Sequence, residues 1–578
     1  MPLDFRNINT LCSSILVETL SRLGLTTAIL CPGSRSTPLT VAFAQHDRIE
    51  AISILDERSA SFFSLGIAKK SRLPVVLVCT SGTAAANFYP AIIEASLSGV
   101  SLLVLTADRP AELQHCRAGQ TIDQLKIYGQ YPNWQAQYPL PENCLEILHY
   151  WRQNTIQAWT RSRFPHAGVV HLNFPFRKPL APIEQPEIKA LESQIDEEEF
   201  FSFLGNRQPG IGRKQAMMEI PSQWQTQKKG IIIAGICCPQ KPSAYCSAIA
   251  ELSQTLQFPV LAEGLSPVRN YADLNPNLIC TYDLLLRNLE LAQELTPEIV
   301  IQIGELPTSK ILRSWLQNTQ PQRWIVDPRE ENLDPLHGKT LHLRTAIEQL
   351  TLPKTAARSP SPYLKQWQAK ETQMREICDC DLTATKELFE GKIPWLLSQM
   401  LPPGTPLFIA NSMPVRDVET FWRPNHHRIQ PYFNRGANGI DGTLSTALGI
   451  AHRNRSSVLL TGDLSLLHDI NGLLQTNKFW GHLTIILINN NGGGIFENLP
   501  IAQFNPPFEE FFATPQAIDF AELCAAYRIE YHCITAWKRL EPLLNPLPEE
   551  GIRAIEIPTH RGADAQWRKT QFHKWSNE

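Results

Sequence analysis

Short apolar runs rich in β-branched residues recur along the chain, and they close on loops of glycine, serine, asparagine or proline. VVLVC (75–79) leads into TSGTAAAN, IIIAGICC spans 231–238, and LTIILI (483–488) leads into NNNGG. Runs of this length and branching suit strands buried on both faces of a parallel sheet, and fall far below the roughly 18 residues of a spanning helix. Helical patterns lie between them. Cys12, Leu16, Leu20 and Leu23 make one apolar stripe that stops at Gly24. The first third alternates in this way, with strands expected at 27–31, 51–55, 74–79 and 101–106. Such alternation builds doubly wound α/β domains whose ligands sit at the carboxyl ends of the strands.

The pattern repeats after two polar stretches. IEQPEIKALESQIDEEEFF and NRQPGIGRK mix acids with Pro and Gly, and TLPKTAARSPSP follows the second block. The expected organisation is three doubly wound parallel-sheet domains at 1–184, 229–355 and 383–578, joined by linkers at 185–228 and 356–382. Strands of the second domain are expected within 231–238, 258–264, 298–305 and 323–328, and of the third at 406–410, 457–461, 483–488 and 552–557. The charge balance, 53 Lys+Arg against 56 Asp+Glu, argues against a nucleic-acid or membrane-surface partner. Thirteen cysteines without a C-x-x-C pair read as reduced thiols, and with no apolar leader in MPLDFRNINT the expected location is cytoplasmic. His426-His427 and the Cys378/Cys380 triplet lack metal-ligand spacing with other ligands and are expected to be structural or solvent-facing.

The sharpest chemical signal lies in the third block. One strand delivers Gly462-Asp463-Leu464-Ser465, and the next delivers Asn489-Asn490-Asn491-Gly492-Gly493. Alone, Asp463 reads as a helix cap and the Asn-Gly run as a turn. Paired across successive strands, a carboxylate, an amide carbonyl and a backbone carbonyl are the hard oxygen donors that suit octahedral Mg²⁺ beside a diphosphate. The glycines let backbone approach phosphate closely. A carboxyl group, Glu57, stands where a strand passes into a helix within LDERSASF. Arg35, Arg109, Arg416 and Arg435 all lie in loops at expected strand ends, and guanidinium groups bind planar carboxylates bidentately.

The G-D-x…N-N-x-G pattern resembles the metal- and diphosphate-binding motif of thiamine-diphosphate enzymes. The resemblance implies a pyrimidine-binding domain, a central domain and a diphosphate-binding domain, with thiamine diphosphate and Mg²⁺ (or Mn²⁺) as cofactors. It implies that Asp463, Asn490 and the main chain of Gly492 hold the cation. Thr80, Gly462, Leu464, Ser465, Ile495, Phe496 and Leu499 would flank the coenzyme. Glu57 would share a proton with its pyrimidine ring, a role suited to a desolvated carboxyl.

CPGSRSTPLT (31–40), TSGTAAANFYPAIIEA (80–95), LTADRP (105–110), NSMPVRD (411–417) and NRGANGIDGTLSTALG (434–449) narrow the resemblance. They are similar to the branch of that family that decarboxylates 2-oxoglutarate and adds the remaining unit to isochorismate, on the way to menaquinone or phylloquinone. That implies a transferase with Ser34, Arg35, Arg109, Gln120, Lys310, Ser412, Arg416 and Arg435 around its two small-molecule substrates. It also implies a homodimer or homotetramer with active sites between subunits. Ile311 and Gly119 depart from the branch, which often has a basic residue and an Asn there. The competing expectation is another thiamine-diphosphate 2-oxo-acid enzyme, acetolactate synthase-like or a decarboxylase, in which so many arginines would be surplus.

Overall fold

The computed structural model describes residues 3–204, 217–353 and 359–577. The NRQPGIGRK stretch and residues 354–358 of the second polar segment lie outside them. Three six-stranded sheets carry the fold, and every strand pair within them is parallel. The first comprises β1 (Thr27–Leu30), β2 (Glu50–Ser53), β3 (Val75–Cys79), β4 (Leu102–Asp108), β5 (Trp134–Gln137) and β6 (Val169–Pro175), ordered 2-1-3-4-6-5. The middle chain segment begins and ends with a small ladder, β7 (Met218–Glu219) on β14 (Leu350–Thr351). Between them run β8 (Gly230–Ala234), β9 (Val260–Ala262), β10 (Leu278–Ile279), β11 (Ile299–Ile303), β12 (Gln322–Val326) and β13 (Thr340–Leu343), ordered 10-9-8-11-12-13.

The third sheet holds β15 (Pro406–Ile409), β16 (Gln430–Tyr432), β17 (Ser457–Gly462), β18 (His482–Asn489), β19 (Glu530–Cys533) and β20 (Gly551–Pro558). Its order, 16-15-17-18-20-19, repeats that of the first sheet strand for strand. In both, the chain leaves the first strand in one direction and returns on its other side. The topological switch point therefore falls between β1 and β3, and again between β15 and β17, where such folds open a crevice.

Two compact units emerge: Met1–Gly212 with Asn434–Asn454 and His468–Trp480, and Arg213–Phe433 with Arg455–Leu467 and Gly481–Glu578. In the first, the helix Ile8–Leu23 follows its expected stripe and ends at Gly24, whose φ of 104° needs a residue without Cβ. The helix Glu57–Ser71 packs there on Thr443–Ala451 so closely that a Cβ on Gly66 would lie 2.1 Å from the Thr446 carbonyl oxygen. In the second unit, the helix Pro362–Ala384 buries Trp367, Met374 and Leu382 in a core that also holds Ile231, Leu460 and Ile486. No described helix is long and apolar enough to cross a membrane.

Candidate active site

The two switch-point crevices receive most of the residues singled out in the sequence, and each is built within one compact unit. At the first, the loop after β1 presses on the end of β3. A Cβ on Gly33 would lie 2.2 Å from Thr80 Cβ, so only glycine lets these loops touch. Thr80 Oγ1 is buried there with no hydrogen-bond partner. Ser34 is exposed at the rim, whereas Arg35 is buried, donating Nη1 to the Phe176 carbonyl at 2.6 Å. Arg109 follows β4. It donates through Nη1 to Ser81 Oγ and through Nη2 to the Gly119 carbonyl at 3.1 Å. Gln120, left-handed at φ 59°, returns Nε2 to the Ser81 carbonyl at 3.0 Å. Burial, and then the charge of Arg109, lowers the Arg35 pKa. Each guanidinium thus feels the other's charge, and one of them is desolvated.

Glu57 is the first residue of its helix and half-buried. Asp56 caps the helix by accepting from Ser59 N at 3.1 Å, leaving Glu57 free of the capping role. After burial, the charge of Glu57 is the largest cause that raises the pKa of the Cys31 thiol, which follows β1. Arg435 lies in this unit too, in the segment before Thr443.

At the other crevice, Asp463 follows β17 directly and opens a helix of six residues, Asp463–His468. Its Oδ2 accepts from Gly492 N at 2.7 Å and its Oδ1 from Leu464 N at 2.8 Å. Burial outweighs these bonds, and the Asp463 carboxyl is pushed up to about 6. Asn490 follows β18 and donates Nδ2 to Glu390 Oε1 at 2.5 Å. Its Oδ1 is buried without a partner, an expensive state for a carbonyl that nothing answers. Gly492 sits at φ 138°, and a Cβ there would lie 2.4 Å from the Ala513 carbonyl oxygen. A carboxylate, an orphaned amide oxygen and the Gly492 carbonyl form an all-oxygen donor set that fits a hard divalent cation. Among the described residues no group of three or more His, Cys, Asp or Glu makes a competing metal cluster. Gly462 opens onto free space, Leu464 is half-buried and Ser465 buried.

A cavity of about 490 Å³ lies in this second unit, lined by Lys310, Arg416, Ile495 and Leu499 together with Arg287 and Asn498. Ser412, at φ 72°, precedes the helix Met413–Phe421 without a side-chain capping bond, and Arg416 folds back to donate Nη1 to its carbonyl at 2.5 Å. Burial lowers the Arg416 pKa. Ile311, the departure from the resembled branch noted above, also lines the cavity. Phe496 packs instead on Phe512, ring centroids 5.7 Å apart. Arg435 is not among the lining residues.

Sequence reading missed Ser81, Glu390 and the ion pair of Asp417 and Arg568, both of which line the cavity. Ser81 lies in a loop and Glu390 in a turn ahead of a helix, while Asp417 and Arg568 lie within helices; no spacing marks any of them. Glu419, which also lines the cavity, was missed likewise; burial raises its pKa, although Arg269 Nη2 stands 3.1 Å away.

Comparison with known proteins bears on this geometry. Residues 12–127 match the family described as thiamine pyrophosphate enzyme, N-terminal TPP binding domain. Residues 203–409 match the middle domain of thiamine pyrophosphate, and 418–556 the C-terminal TPP binding domain. A 2-succinyl-5-enolpyruvyl-6-hydroxy-3-cyclohexene-1-carboxylate synthase of Gloeothece citriformis is 62% identical over all of both chains. Its namesake from Rippkaea orientalis is 60% identical over 98% of this chain and 97% of its own. Among solved structures, benzoylformate decarboxylase from Polynucleobacter necessarius superposes with a TM-score of 0.66 at 16% identity, covering 95% and 98% of the two chains. That last likeness speaks for the fold alone. The chain belongs to the thiamine pyrophosphate enzymes and, within them, to the family of the 2-succinyl-5-enolpyruvyl-6-hydroxy-3-cyclohexene-1-carboxylate synthases.

Proposed function

We propose that this enzyme decarboxylates 2-oxoglutarate and joins the remaining four-carbon unit to isochorismate by conjugate addition, a step towards menaquinone or phylloquinone. The observation that carries the reading is the orphaned Oδ1 of Asn490 beside the buried Asp463 carboxylate. Asp463, Asn490 and the Gly492 carbonyl would hold Mg²⁺, or Mn²⁺ in its place, whose charge would offset that of the diphosphate. Thiamine diphosphate, when bound, supplies the electron sink that makes loss of CO₂ from a 2-oxo acid possible. Glu57 holds a proton at the pyrimidine ring of the coenzyme, and Thr80, Gly462, Leu464, Ser465, Ile495, Phe496 and Leu499 flank it.

Both substrates are dicarboxylates. Arg35, Arg109, Lys310, Arg416 and Arg435 supply the cations that bind and orient them, and Ser34, Gln120 and Ser412 add hydrogen bonds. Desolvation strengthens this pairing, as for Arg35 and Arg416. The chain works as a homodimer or homotetramer, with Glu57 of one copy serving the coenzyme held by Asp463 of another.

The test is turnover by purified protein given 2-oxoglutarate, isochorismate, Mg²⁺ and thiamine diphosphate, with each omitted in turn. The expected result is that every omission stops formation of the adduct and that one CO₂ appears per isochorismate consumed. Equal turnover of pyruvate, or CO₂ release indifferent to isochorismate, would instead point to the acetolactate synthase or decarboxylase reading.

A further inference from the structure

Asn490 takes its orientation from a residue outside every motif. Glu390 lies just ahead of the helix Lys392–Met400 and is 2% exposed. Its Oε1 accepts from Asn490 Nδ2 at 2.5 Å, and its Oε2 from Arg568 Nη2 at 3.3 Å. Arg568 also grips Asp417 through both terminal guanidinium nitrogens, Nη2 lying 3.1 Å from Oδ2. The Glu390 main chain is fixed as well, donating N–H to Asp564 Oδ2 at 3.3 Å. A Cβ on Gly494 would lie 2.6 Å from Asn490 Nδ2, so glycine keeps room for the amide beside Glu390.

The chemistry of the pair is directional. A carboxylate can only accept, so the NH₂ end of the amide must face Glu390 and the carbonyl must face away. That carbonyl is the buried oxygen without a partner. An amide released from Glu390 is free to exchange its ends, and would then meet a cation with N–H instead of oxygen.

We propose that Glu390, clamped by Arg568 and Asp417, is a positioning residue that holds the Asn490 carbonyl towards the divalent-cation site. The inference rests on the cation reading of Asp463 and Asn490 given above. Groups that orient metal ligands typically account for about 10- to 100-fold in metal affinity.

The experiment titrates Mn²⁺ into the full-length protein with saturating thiamine diphosphate, reading free Mn²⁺ by electron paramagnetic resonance. Glu390→Met keeps the side chain's reach but deletes both oxygens. It should weaken Mn²⁺ about 10- to 100-fold, while Glu390→Gln, which retains an acceptor oxygen, stays within about threefold of wild type. Asp463→Ala serves as the control for the cation site and should abolish tight binding. Should Glu390→Met fail to fold by thermal melting, Glu390→Asp, which withdraws the carboxylate by one methylene, takes its place with the same expectation. Wild-type affinity in Glu390→Met, with Asp463→Ala weakened, would overturn the positioning role alone, as would Glu390→Gln falling as far as Glu390→Met. Unchanged affinity in Asp463→Ala would overturn the cation reading itself.

Discussion

A carboxyl group's role here depends on what surrounds it. Glu57 begins a helix that Asp56 already caps, so its carboxylate is not spent on the backbone. Glu57→Gln keeps the shape and removes the exchangeable proton. Coenzyme affinity by calorimetry should stay within about threefold while kcat drops about 10²- to 10⁴-fold, the range for a lost acid or base. Near-normal kcat would remove Glu57 from the chemistry. Asp463 and Asn490 were legible in the sequence because each follows one of two successive apolar strands, whose ends can meet at one sheet edge, as β17 and β18 do. Glu390 was not, because its partner lies 100 residues away and nothing local marks a buried acid. Ser81 was missed for a related reason: it bonds Gln120 and Arg109 across a loop whose course no periodicity describes.

Among the elements, the helices Glu57–Ser71 and Thr443–Ala451 meet at glycines on both sides. A Cβ on Gly449 would lie 2.1 Å from the Phe63 carbonyl oxygen, matching Gly66 against Thr446. Backbone cannot yield as a side chain end does, so Gly66→Ala should cost at least about 1–3 kcal/mol in urea unfolding, the usual range for overpacking. A second element-scale prediction concerns Asp469, which tethers the Thr443–Ala451 helix by accepting from Ser445 N at 2.6 Å. Burial raises its pKa from 3.8 to about 6. The folded state thus binds more protons than the unfolded one in that window, and stability falls as pH rises through it by up to about 3 kcal/mol. Asp469→Asn lacks this dependence. The difference between the two proteins, measured by urea unfolding from pH 4 to 7, should move in favour of the variant up to about pH 6 and then level off. A constant difference would contradict the assignment.

The strands show what a sequence makes visible and what it hides. Expected strands at 27–31, 74–79, 457–461 and 483–488 coincide with β1, β3, β17 and β18, all interior and buried throughout or nearly so. β5, β10, β13, β16 and β19 were not anticipated, and every one is a sheet edge. Edge strands face water on part of their surface and carry residues such as the WQAQ of β5, so they lack the continuous apolar run that identifies an interior strand. β6 is interior but was hidden by His171 and Asn173, whose side chains answer Thr106 and Asp108 inside the core.

Across the whole molecule, the first and third sheets repeat one strand order and so provide two equivalent crevices. Glu57, Arg35 and Arg109 belong with the first sheet, Asp463 and Asn490 with the third. The sequence alternation made three α/β blocks legible, but not that residues 434–454 and 468–480 pack with the first. Strand spacing says which loops share a sheet edge and is silent on which helix a glycine-rich segment will cover.

The proposed assembly, with each coenzyme served by two copies of the chain, is tested most directly by complementation. Glu57→Gln and Asp463→Ala are each expected to be nearly inactive. Co-expressed with distinguishable tags and isolated as a mixture, they should regain about a quarter of wild-type specific activity, because half of randomly paired dimers carry one intact site. Recovery near that level is the result the account predicts. Mixed oligomers that form yet stay as inactive as either parent would contradict it.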